Sequence, residues 1–192
     1  MKAETRVRLT YFNRDYVSER IGRVTIGERN PAGAGSITFD ISRECIEVLA
    51  KPSTHHFFWL SEQSCADGAF ILFEGDDFVH LHIVEIKSKL THKGWLTVRK
   101  QFSGMFLNSM ALCGVIGLPE FKTVTCYIAY ATENISSLTT ASPVLLKGRL
   151  GLSATPFLLE DWVSGRVDAA WASAVPLVKL QRDAAGNANL AV

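Results

Sequence analysis

The most regular stretch of the chain is residues 66–90, ADGAFILFEGDDFVHLHIVEIKSKL, where two apolar runs flank Gly75-Asp76-Asp77. Apolar arms on either side of turn-forming residues predict a β-hairpin, with 69–73 as the first arm and 78–87 as the second. After it, Thr91 opens a predicted helix in which Trp95, Val98, Phe102, Met105 and Phe106 recur at helical spacing. That helix is expected to reach about Cys113, with Gly114 and Gly117 marking its end. Residues 121–130, FKTVTCYIAY, are rich in β-branched and aromatic side chains and predict a further strand.

The flanking regions are less regular. Residues 5–12 (TRVRLTYF) alternate and are read as a strand, and 30–36 (NPAGAGS) as a flexible break. Ser42 is placed as the cap of a short helix over 43–49, ended by Lys51-Pro52. FFWL at 57–60 looks like a strand or its approach. Residues 156–172 suggest an amphipathic helix interrupted by Gly165, VPLVKLQ a short strand, and DAAGNANLAV a frayed end. The order helix, strand, strand, helix, strand predicts an α/β fold with a central mixed sheet flanked by helices. The expected organisation is a domain over 1–150 and a helical or irregular extension over 151–192, suited to assembly.

Composition narrows the class. The 192 residues are 47% hydrophobic and 20% charged, with a formal net charge of +1. Any attraction to phosphate must therefore come from a local patch. The four cysteines, Cys45, Cys65, Cys113 and Cys126, form no CxxC pair, which argues against a zinc ribbon. The first residues are charged where a signal peptide would be apolar, and no run of about 18 apolar residues exists. The expectation is a cytoplasmic protein with reduced cysteines and no membrane span.

The candidate chemistry lies at the open end of the hairpin. Strand side chains alternate, so Val79, Leu81, Ile83, Glu85 and Lys87 share one face. Two charges thus sit at the exit of a largely apolar strand, a costly placement without a function. With the turn centred near residue 76, Asp67 lies nine positions before it and Glu85 nine after, so the two are expected as cross-strand neighbours. Adjacent carboxylates repel unless a cation lies between them, and oxygen ligands suit Mg²⁺. A cation there can polarise a phosphodiester and activate water, while Lys87 stabilises developing charge or orients that water.

Asp67, followed by Glu85-Ile86-Lys87 at the end of the next strand and then a helix with basic residues, resembles the PD-(D/E)XK, or restriction-endonuclease-like, nuclease superfamily. The resemblance covers roughly residues 42–130. Ala66 stands where the motif has proline. The resemblance implies a restriction-endonuclease-like core and metal-dependent hydrolysis of phosphodiester bonds, DNA above all. It implies Asp67, Glu85 and the Ile86 carbonyl as ligands of Mg²⁺ or Mn²⁺, and Lys87 as the catalytic lysine. An accessory glutamate on the first core helix falls to Glu47 or Glu44, and a helpful glutamine on the next helix to Gln101. Nucleases of this kind resemble restriction, anti-phage defence or mobile-element enzymes. The small size implies that a homodimer or a partner subunit supplies targeting.

Lys87, Lys89, Lys93, Arg99 and Lys100 form the one dense basic cluster and are read as phosphate contacts beside the metal. The plain alternatives are a solvated helix face for that cluster, a surface salt bridge for Glu85 and Lys87, and a turn residue for Asp67. His55, His56, His80, His82 and His92 invite a zinc reading, but no third ligand joins His80 and His82, which are placed on a half-exposed sheet face. The rival function is a non-catalytic nuclease-fold subunit acting in nucleic-acid binding or protein assembly, with Trp162 and Trp171 as its contact surface.

Overall fold

The computed structural model describes residues 1–28, 35–50, 64–135, 155–170 and 172–192. The described residues form a mixed α/β fold: α1 (Ala3–Leu9), β1 (Val17–Gly27), β2 (Ser36–Leu49), β3 (Gly68–Glu74), β4 (Phe78–Leu90), α2 (His92–Ile116), β5 (Phe121–Glu133), α3 (Thr155–Ser164), β6 (Arg166–Ala169), β7 (Ala172–Gln181) and β8 (Asn187–Ala191). The strands join one mixed sheet in the order β1-β2-β3-β4-β5-β7-β6, with β8 paired to β2. The pairs β1–β2, β2–β3, β3–β4 and β6–β7 are antiparallel, whereas β4–β5, β5–β7 and β2–β8 are parallel. A parallel step needs a crossover, and α2 supplies the one between β4 and β5.

The hairpin and the long helix form where the pattern places them. Thr91 caps α2 by accepting a hydrogen bond from the Gly94 N–H at 3.1 Å. Gly117 ends it in the left-handed conformation at φ 74°. Trp95, Val98, Phe102, Met105 and Phe106 are all buried against one face of the sheet, beside Ala69, Ile71, Leu81 and Ile83.

Four expectations are corrected. Residues 5–12 begin as helix, not strand: α1 buries Thr5 and packs Leu9 against the α2 side of the sheet. Residues 43–49 form the end of β2, not a helix. There Cys45 enters one core and Ile46 the other, the alternation of a strand buried on both faces. The C-terminal residues are not an appended extension, because β7 pairs in parallel register with β5 and β8 with β2. The supposedly frayed end is thus part of the sheet. Trp162, offered as a contact surface, is buried between Trp95 (5.5 Å between rings) and Tyr130 (5.8 Å). The expectations for 30–34, 51–60 and Trp171, and with them His55 and His56, lie outside the described residues.

The flanking of the sheet also differs from expectation. Among the described residues the helices cover one face only. Against the other lies the sheet's own N-terminal ribbon. Phe39 of β2 touches Phe70 at 4.8 Å and Tyr127 of β5 at 5.1 Å, although β5 is three strands away in the sheet order. The first half of β2 must therefore fold back over the sheet, carrying β1 and β8 with it. The register shift at Ile21/Gly22, with Gly22 at φ 87°, marks the bend.

This second core buries His82, which the sequence placed on a half-exposed face. Its ring stacks on Phe70 at 4.5 Å and its Nδ1 meets the Tyr127 hydroxyl at 2.9 Å. Burial is the largest cause holding its pKa down at about 4, and the nearby His80 adds to it. A histidine with a depressed folded-state pKa binds its proton more readily when unfolded. Its contribution to stability is therefore present above about pH 6.5 and lost as pH falls towards 4. His82→Phe keeps the stacking shape and removes the titration. Urea unfolding at pH 7 and pH 5 should show the wild type losing about 2 kcal/mol relative to this variant on acidification. Equal changes in both proteins would place His82 in water.

Candidate active site

The register within the hairpin decides the site geometry. Gly68 pairs with Val84 and Ala69 with Ile83, so one further step sets Asp67 opposite Glu85. The chain bends at Asp67, and the β3–β4 ladder ends at Gly68, so the β3-side edge of β4 is open there. Asp67 fills that gap with its side chain: its Oδ2 accepts a hydrogen bond from the Ile86 N–H at 2.8 Å. Glu85 answers from the other strand, its Oε2 accepting the Asp67 N–H at 3.0 Å. Each acid is thus held by backbone at or beside the other, and both are buried, Asp67 at 7% exposure and Glu85 at 0%.

Lys87, one pleat on, shares the Glu85 face and forms an ion pair with Oε1. Oε1 is buried, and the Lys87 ammonium is what it meets there, whereas Oε2 takes the Asp67 N–H. Burial pushes the Glu85 carboxyl up to about 8, and the Asp67 charge pushes the same way. The Lys87 ammonium and the Asp67 N–H pull it back only in part. Two buried carboxylates side by side are the oxygen donors that a hard, oxygen-seeking divalent cation takes. The Ile86 N–H and C=O point towards the same edge of β4, so the carbonyl faces Asp67 as the third expected ligand.

The helix side of the site is formed by α2. The Ala66 N–H donates to the Gln101 carbonyl at 3.1 Å, and the Gln101 side chain donates to the Cys65 carbonyl at 3.4 Å. Gln101 therefore contacts the two residues that precede Asp67, with its side-chain oxygen buried and without a partner among the described residues. No family model, no curated protein and no solved structure matches this chain.

The other residues singled out in the sequence are placed as follows. Lys89, Lys93 and Lys100 are exposed. Arg99 instead pairs with Asp161 of α3 at 3.1 Å, so its charge is directed into the fold. Glu47 and Glu44, expected on a helix, lie on β2. Glu47 accepts from Arg20 at 2.8 Å and from Ser18 at 3.2 Å. Glu44 pairs with Arg6 and, at 2.6 Å, with the N-terminal amine. Both are thereby committed to arginines rather than to the Asp67 site.

The histidines do not gather either. His80 meets Thr123 and Glu74, His82 meets Tyr127, and no group of three or more His, Cys, Asp or Glu among the described residues can hold a metal ion. Cys45, Cys65, Cys113 and Cys126 form no disulfide among the described residues, and burial drives the thiols of Cys45 and Cys113 up to about 12. No helix among the described residues is long and apolar enough to cross a membrane.

One neighbour of the site escaped the sequence reading. The Arg182 guanidinium, arriving from just beyond β7, donates to the Lys87 carbonyl at 3.2 Å. No local pattern marks it, because the contact joins residues 95 positions apart.

Proposed function

We propose that this protein is a divalent-cation-dependent nuclease that hydrolyses phosphodiester bonds, DNA first among its substrates, through Asp67, Glu85 and Lys87. The observation that carries the reading is the interlocked pair of buried carboxylates at the open end of the hairpin, with the Lys87 ammonium on Glu85. The order of elements supports it in part: the β3–β4 hairpin, then α2, then β5 parallel to β4 follow the hairpin, helix and strand expected of a restriction-endonuclease-like core, whereas the helix expected before the hairpin is strand β2. The ribbon in place of helices on the second face is a departure from that plan.

In this reading Asp67, Glu85 and the Ile86 carbonyl hold Mg²⁺ or Mn²⁺. A cation held by them would supply Lewis-acid activation of the phosphodiester and of the attacking water. Asp67 and Glu85 fix that place because their own backbone hydrogen bonds leave them little freedom. Lys87 would orient the attacking water or donate to the phosphoryl oxygens on which charge develops. Lys87→Ala should lower the cleavage rate by about 10²-fold or more while leaving cation affinity nearly unchanged. Targeting falls to a second copy or a partner subunit. Incubating plasmid DNA and RNA with the purified protein in Mg²⁺, Mn²⁺ or EDTA tests the activity; cleavage that persists in EDTA would remove the cation from the mechanism.

Lys93 and Lys100 are seven residues apart and share a face of α2. They are the phosphate contacts of this reading, with Lys89 beside them. Neutralising both lysines with glutamine should weaken binding of all duplex sequences alike and flatten the salt dependence by up to about two units of slope. The check is affinity for a labelled duplex across a salt series, without divalent cation. An unchanged slope would turn this face towards solvent or a protein.

One observation favours the non-catalytic reading: Glu85 has no exposed surface. A cation must then reach it past the half-buried Lys87, and a binding subunit that keeps only the fold would show no cleavage with any cation.

A further inference from the structure

The Lys87 carbonyl is the acceptor in an unusual buried arrangement. The side chain of Arg182 is 4% exposed and that of Glu28, just past β1, 7%, and the two pair at 3.2 Å. The same guanidinium reaches the Lys87 carbonyl through its second terminal nitrogen, also at 3.2 Å. Its Nε is buried and without a hydrogen-bond partner among the described residues. Arg182 is itself anchored by main chain, its N–H donating to the Tyr130 carbonyl at 2.9 Å. Ser88, next to Lys87, donates to both Glu28 oxygens at 3.3 and 3.4 Å. A Cβ at Gly35 would lie 1.4 Å from Arg182 Nη1, so the start of β2 has room for the guanidinium only because residue 35 is glycine.

Stability alone explains this poorly. Taking a guanidinium and a carboxylate out of water is costly, and leaving one donor unmet adds to the cost. A well-packed apolar pair would hold the same elements together as firmly. The apolar alternative lacks a directional hold on one carbonyl. In a strand, fixing a residue's carbonyl sets the plane of its peptide and hence the direction in which its side chain leaves.

We propose that Arg182, held by Glu28, is a positioning residue: it fixes the Lys87 backbone so that the Lys87 ammonium stands over Glu85. The inference rests on the nuclease reading for its consequence in rate, but the positioning itself does not. Two variants probe it. Arg182→Lys keeps the charge and loses the fork that spans Glu28 and the Lys87 carbonyl. Glu28→Gln keeps an acceptor and removes the anchoring charge.

The deciding measurement is the reactivity of the Lys87 amine towards limiting acetic anhydride. It is read by peptide mass spectrometry on metal-free protein, with the exposed Lys89 and Lys93 as internal standards, at a temperature where circular dichroism shows the native fold. In the wild type Lys87 should react several-fold more slowly than Lys89. In Arg182→Lys that protection should fall at least threefold, and by a smaller factor in Glu28→Gln, with Lys93 unchanged. Plasmid cleavage should drop at least tenfold in kcat with KM little altered.

Variants that melt earlier yet keep the wild-type Lys87 to Lys89 ratio would make the cluster purely structural and overturn the proposal. If the wild type cleaves nothing, the nuclease reading falls while the amine reactivity still decides the positioning.

Discussion

Glu85→Gln should abolish cation-dependent cleavage, by at least about 10³-fold, and at the same time stabilise the metal-free protein. Both effects come from the same buried carboxylate. Its pKa is raised from an ordinary 4.5 to about 8 by burial first and by Asp67 second. An acid whose folded-state pKa lies above its unfolded value holds its proton more tightly in the fold. Its contribution to stability is therefore complete below about pH 4.5 and lost as pH rises towards 8.

Glutamine keeps the shape and removes that loss. Lys87 then lacks its partner, which offsets part of the gain. We expect the variant to be roughly 2–4 kcal/mol more stable than metal-free wild type at pH 8, the gap closing towards pH 4.5. Denaturant unfolding at the two pH values measures it. A variant that is destabilised at pH 8 and still cleaves DNA would mean that Glu85 is a structural acid. Gain of stability on loss of an active-site group is the usual mark of a site built at the expense of the fold.

The second large effect concerns the C-terminal third. Trp162→Ala should cost about 3–5 kcal/mol, because a fully packed tryptophan leaves a cavity that its neighbours cannot close. Trp95 and Tyr130 both rest on that ring, and Lys179 of β7 lies over it at 4.9 Å while donating to the Trp162 carbonyl at 2.8 Å. A domain stable by 5–15 kcal/mol would lose a large share of its margin, and thermal unfolding should stay a single transition at a lower temperature. An unchanged midpoint would restore α3 to the status of an appended contact surface.

How far the sequence could be read depended on whether a contact was local. The β3–β4 hairpin and α2 were legible because each carries its own signal: a turn at Gly75-Asp76-Asp77 between apolar arms, and a cap at Thr91 before a 3.6-residue period. The same counting about the turn predicted Asp67 opposite Glu85, and the register agrees. Residues 43–49 misled because Glu44, Glu47 and Leu49 suit a helix well, whereas burial of Cys45 and Ile46 in opposite cores decided for a strand. In 5–12 the alternation of charged and apolar residues was short enough to serve either period.

The tail was misread for another reason. Asn187–Ala191 has small, polar residues and no strand pattern of its own, and its pairing with β2 spans about 150 residues of chain. The ribbon folded over the second face, and the reach of Arg182 to Lys87, are likewise products of tertiary folding.

The central claim is that the carboxylate pair of the hairpin is a divalent-cation site, and titration with Mn²⁺ tests it most directly. Free Mn²⁺ is followed by its electron paramagnetic resonance signal as metal-free protein is added, for wild type, Asp67→Asn and Glu85→Gln. Both variants keep the side-chain volume, and the hydrogen-bonded backbone around the site is left in place. The wild type should remove Mn²⁺ from solution saturably, and each variant should lose at least tenfold in affinity. Wild-type affinity in either variant, or no uptake by the wild type, would contradict that claim.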